Sequence, residues 1–126
     1  MPLSHAVAWI DHLDVHVIQF DAQQSVDQRV KQHVHFTRQH ANQVRGQHEF
    51  FGEVCEALAG IRSVLVVGHQ EPQAAFRQYV SKHRPALALH IAGWETIDHP
   101  TEPEVLKLAR EFFVRQGEMA ATPRQR

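Results

Sequence analysis

Hydrophobic and polar positions follow one period in the first third of the chain and another in the rest. His5-Ala-Val-Ala-Trp-Ile10 is a short apolar run, and Val15-His-Val-Ile-Gln-Phe20 alternates. Turn formers at Asp11 and Asp14 separate the two, which predicts a β-hairpin. Asp21 to Asp27 is polar and reads as the next turn. Gln28 to Phe36 alternates again, with Val30, Val34 and Phe36 on one face and Arg29, Lys31, His33 and His35 on the other. This predicts a third strand with one wet face. Thr37 to Gln47, TRQHANQVRGQ, has no apolar period and reads as a long loop, a kind of segment that is more often functional or mobile than inert.

Beyond that point helix and strand patterns alternate. His48 to Ala59 places Phe50, Phe51, Val54, Cys55 and Leu58 on one stripe, and Gly60 ends the helix. Ser63-Val-Leu-Val-Val67, closed by Gly68, reads as a strand buried on both faces. Glu71 to His83 predicts a second helix, with Pro72 in its first turn and Ala75, Phe76, Tyr79 and Val80 inward. Leu87 to Ile97 contains a strand centred on Ala88 to Ala92. Thr101-Glu-Pro-Glu104 is a capping box that starts a third helix with the stripe Val105, Leu108, Ala109, Phe112 and Phe113. The predicted order is βββαβαβα: one α/β domain over residues 1–116 and a polar, flexible tail over 117–126.

Composition adds bounds. A chain of 126 residues suits one compact domain. Its one cysteine, Cys55, excludes an intramolecular disulfide and a Cys-rich zinc module. No run of about 18 apolar residues is present, so no spanning helix or membrane partner is expected. The N-terminus has no basic region and meets Asp11 early, so a signal peptide is not expected and the cytoplasm is the expected compartment. A formal charge of −1 excludes a uniformly basic nucleic-acid coat, whereas 11 histidines would make the field strongly pH-dependent.

One stretch concentrates charge of one sign. Between Asp27 and Glu49 there is no acid, while Arg29, Lys31, Arg38 and Arg45 are basic and His33, His35, His40 and His48 are ionisable. A loop bearing guanidinium groups and ending at a helix N-terminus suits phosphate contacts. A solvated loop whose charges confer solubility accounts for the same residues, and on the residues alone the two readings stand level. On the first reading Arg38 and Arg45 are the main phosphate contacts and Lys31 a supporting one. His40 and Gln47 complete the candidate RNA-binding set. Affinity from so few contacts should be salt-sensitive and should rise as histidines charge below about pH 6.5.

Other chemistries are weaker. His33 and His35 share a strand face and suit a divalent ion, but polar residues on a wet face explain them more simply, and no metal or other cofactor is expected. A two-metal nuclease needs converging carboxylates. Asp11, Glu49 or Glu53, and Glu104 or Glu111 are candidates, yet no acid follows the strand ending at Val67-Gly68-His69. There is no Gly-x-Ser-x-Gly stretch. Cys55 reads as a packed core thiol, Gly68 to Glu71 as an ordinary strand-to-helix turn, and Trp9 and Trp94 as packing residues.

The ordered set AVAWIDHLDVHVIQFD, VHFTRQHANQVRGQHEFFGEVCEAL, IRSVLVVGHQEPQAAFRQYV and ETIDHPTEPEVLKLAREFF, spread over about residues 5 to 114, resembles the middle domain of archaeal and eukaryotic peptide-chain release factors and of Pelota. It is also similar to the small bacterial translational-machinery-like proteins. The resemblance implies a ribonuclease H-like fold, with a mixed sheet of five strands and helices on both faces. It also implies a ribosomal setting. Release factors carry Gly-Gly-Gln in the corresponding loop. Here the nearest string is Arg45-Gly46-Gln47, where arginine replaces the first glycine and its backbone freedom. The factors' other two domains have no counterpart here, so peptide release by this chain alone is not expected. Pelota's middle domain also lacks the tripeptide, so its loss leaves a ribosomal role open. The expected function is a non-catalytic, translation-associated domain that binds the ribosome or structured RNA through residues 37–47. A protein–protein adaptor and a ribonuclease H-like nuclease are the alternatives.

Overall fold

The computed structural model describes residues 4–11, 14–31, 40–98 and 100–117, with the backbone alone over 40–45. Its elements are β1 (His5–Ile10), β2 (Asp14–Phe20), β3 (Ser25–Lys31), α1 (His40–Leu58), β4 (Ser63–Gly68), α2 (Gln70–His83), α3 (Pro85–Ala88), β5 (Ile91–Thr96) and α4 (Glu102–Arg115). The five strands form one sheet in the order β3-β2-β1-β4-β5. β1–β2 and β2–β3 are antiparallel, and β1–β4 and β4–β5 are parallel. The fold is therefore the expected mixed α/β sheet with helices on both faces, compatible with a ribonuclease H-like architecture.

The central strands are buried on both sides, and their period-two alternation divides the core in two. Ala6, Ala8, Ile10, Val15, Val17, Val64 and Val66 face Phe50, Phe51, Val54 and Leu58 of α1 and Phe76 and Val80 of α2. Val7, Ile18, Phe20, Leu65 and Val67 face Val105, Ala109, Phe112 and Phe113 of α4. Arg110 ties α4 to the turn after β2, donating from Nε to the Asp21 carbonyl at 2.9 Å.

The element ends have local causes. Gly60, at φ 82°, takes the left-handed conformation that stops the chain just after α1. Thr101 caps α4 in the full reciprocal box: its hydroxyl oxygen accepts from the Glu104 N–H, and the Glu104 carboxylate accepts from the Thr101 N–H. Asp21 closes the β2–β3 turn, its Oδ1 accepting from the N–H groups of Gln23 and Gln24 at 2.8 Å each.

Three expectations are corrected. The turn after β2 ends at Gln24, so β3 begins at Ser25 rather than Gln28. The first residues of this edge strand are exposed and, apart from Val26, polar, which hides them from a hydrophobic pattern. The mobile loop expected over 37–47 is helix from His40 onward. Gln47 to Glu49 are exposed and Phe50 is the first fully buried side chain described in α1, and TRQHANQVRGQ offers no apolar period from which a helix could be read. Helices propagate on their own backbone bonds beyond the core they pack on. The strand expected within Leu87 to Ile97 and centred on Ala88 to Ala92 runs instead from Ile91 to Thr96, and Pro85–Ala88 is the short helix α3. Pro85 sits in its first turn, and a brief apolar run does not by itself distinguish strand from helix. The proposed strand residues Val34 and Phe36 lie outside the described residues.

Candidate nucleic-acid interface

The candidate residues fall on two elements. Lys31 is exposed at the end of β3, opposite Asp14 of β2 in the strand register. His40, Arg45 and Gln47 belong to the first two turns of α1, and Gln47 is exposed. Arg38, like His33 and His35, lies outside the described residues. The first turn of α1 contains no acid, so no carboxylate from that turn offsets the positive end of the helix dipole. Arg45-Gly46-Gln47 occupies helical backbone, and Gly46 is not among the glycines with positive φ. The string uses none of the conformational freedom that a glycine loop supplies.

Carboxylates temper the strand side of this region. Arg29 is 50% exposed and its Nε lies 3.7 Å from Asp14 Oδ2. Between β3 and α1 runs an open groove of about 700 Å³, lined by Gln28, Arg29, Val30, Lys31, Glu53, Glu56 and Ala57. Glu56 is itself engaged by Arg84, whose Nη2 donates to Oε1 at 3.2 Å. The groove therefore mixes both signs, whereas the first turn of α1 holds no acid.

An aromatic cluster on α1 and α2 had no sequence signal. His48 lies edge-on to Tyr79 and His83, at centroid distances of 5.5 and 5.4 Å. Residues from separate helices build it, and no local spacing announces such a contact.

The Asp11 N–H donates to the Asp14 carbonyl across the hairpin, at 2.9 Å, and Glu104 is held in the capping box. Among the described residues no group of three or more His, Cys, Asp or Glu side chains is placed to hold a metal ion. Where a nuclease would need an acid after β4 there is Gly68, at φ 144°, and a Cβ there would collide with the Ile10 carbonyl. Gln73 fills the space beyond, donating from Nε2 to the carbonyls of Gly68 at 3.3 Å and Glu95 at 2.8 Å. Cys55 is buried, and desolvation pushes its thiol up to about 11, far from a thiolate nucleophile.

No protein-family model matches the sequence, and no curated protein matches it. Solved structures do match its shape. Pelota of Archaeoglobus fulgidus superposes with a TM-score of 0.62 at 13% identity, over 89% of this chain and 32% of that one. The fold resembles part of Pelota. A second Pelota, from Thermoplasma acidophilum, gives 0.60 at 10% identity, over 93% of this chain and 33% of that one. An archaeal translation termination factor gives 0.57 at 13% identity, over 83% and 32%. The chain thus spans about a third of the length of Pelota and of the termination factor. At these identities the likeness to Pelota is one of fold.

Proposed function

We propose that this chain is a non-catalytic, translation-associated domain that binds the ribosome or structured RNA in the cytoplasm. The contact element is the basic segment over residues 37–47, with Arg38 and Arg45 as the principal phosphate ligands and Lys31, His40 and Gln47 beside them. The observation that carries this reading is the acid-free run from Gln28 to His48 leading into the first turns of α1. It occurs in a fold similar to two Pelota structures and a translation termination factor. Phosphate oxygens would be met by guanidinium groups and by the unpaired N–H groups of the helix N-terminus. A helix formed from His40 needs less ordering on binding than a mobile loop would, which favours affinity.

Sucrose-gradient sedimentation tests the proposal. Co-migration with a ribosomal subunit at low salt is expected, and Arg38→Glu with Arg45→Glu should abolish it. Absence of co-migration at low salt would overturn it. The nuclease alternative draws no support from the placement of its acids: Glu104 serves a cap, and among the described residues no three or more His, Cys, Asp or Glu side chains are grouped to hold a metal ion.

A further inference from the structure

β3 is an outer strand, and among the described residues no strand pairs with its far side. Every residue of Ser25-Val-Asp-Gln-Arg-Val-Lys31 except Val30 is exposed. Such an edge is a template for another strand. Val26 stands out on it, an apolar side chain left 60% exposed. α1 does not cover the flank, where the groove lined by Gln28, Val30, Glu53 and Ala57 stays open.

We propose that β3 pairs antiparallel with β3 of a second copy of this chain, about a two-fold axis through Gln28, joining the two five-stranded sheets into one. Symmetry restricts the choice of register. A two-fold axis perpendicular to the sheet keeps each side chain on its own face, so opposed positions are both odd or both even. Centred on Gln28, the pairing sets Asp27 opposite Arg29 of the second copy and Arg29 opposite its Asp27. It also sets Val26 against Val30, covering the exposed apolar group. Shifting the centre to Asp27 opposes two aspartates, and shifting it to Arg29 opposes two arginines. Of these three registers only the one about Gln28 satisfies the charges. Within each chain Arg29 already lies 3.7 Å from Asp14, and Asp27 3.5 Å from His16 Nδ1, on one face of the sheet. The pairing extends these contacts into a row running Asp14, Arg29, then Asp27 and His16 of the second copy, in which acid and base alternate.

Sedimentation velocity on the full chain tests the register directly. The native protein should form a dimer at high micromolar concentration. Asp27→Arg and Arg29→Asp, each alone, oppose like charges twice and should weaken association about tenfold or more. An equimolar mixture of these two variants should regain it as a heterodimer, because every arginine then faces an aspartate. The double variant Asp27→Arg with Arg29→Asp should self-associate like the native chain, and far-UV circular dichroism checks that each variant folds. A monomeric native protein would overturn the proposal and leave the edge to another partner. So would single variants that dimerise normally, or a double variant that does not dimerise.

Discussion

At the scale of single residues, the strongest structural demands fall where no side chain is present. Gly68 ends β4 with a positive φ against the Ile10 carbonyl, so an added methyl group meets both backbone strain and a backbone atom that cannot retreat. Gly68→Ala is expected to cost about 2–4 kcal/mol, read as a lowered urea midpoint at unchanged slope. Cys55 makes a contrasting prediction. Its buried thiol, pushed up to about 11 by desolvation, should react slowly with a disulfide reagent at pH 8 in the native protein and rapidly in urea. Rapid native reaction would place the thiol at the surface. Burial of Cys55 was legible from its position on an apolar stripe. The strain at Gly68 was not, because it arises from the neighbouring strand β1 rather than from adjacent residues.

At the scale of elements, legibility followed burial. α4 announces itself by the Thr101–Glu104 box and its stripe, and its start matches. Thr101→Ala should lower stability by about 1 kcal/mol. The box is also pH-dependent. Hydrogen bonds from the Thr101 side chain and backbone hold the Glu104 carboxyl below its ordinary value of 4.5. A lowered folded value means the contribution is present in full above the unfolded value and disappears as pH falls through the folded one. The stability difference between the native chain and Glu104→Gln should therefore be constant above about pH 5 and should shrink under more acidic conditions. A difference independent of pH would contradict the role given to this carboxylate. The elements misjudged from sequence are those for which the hydrophobic pattern gives no period. The start of β3 is exposed because it lies at the sheet edge, and the start of α1 precedes the first fully buried phenylalanine. Hydrophobic periodicity reports the core and falls silent where an element leaves it.

At the scale of the molecule, the strand order and two-sided core follow from the alternation in β1 and β4 and the stripes on α1, α2 and α4. The candidate site was less legible. Its charge pattern is plain in the sequence, but its backbone is helical from His40, and the carboxylates of Glu53 and Glu56 beside Lys31 come from the far end of the same helix. Phosphate contacts as few as those proposed, led by Arg38 and Arg45, predict a shallow salt dependence. RNA affinity should fall with a slope of about two to three in log–log form, and by roughly one less for each of Arg38 and Arg45 removed.

The central claim, that the acid-free segment contacts the ribosome or its RNA, is tested most directly by pelleting purified ribosomes with the native chain and with Arg38→Glu plus Arg45→Glu at low salt. The native chain should be recovered with the ribosomes and the variant should stay in the supernatant. Equal recovery of the two, or of neither, would contradict the account.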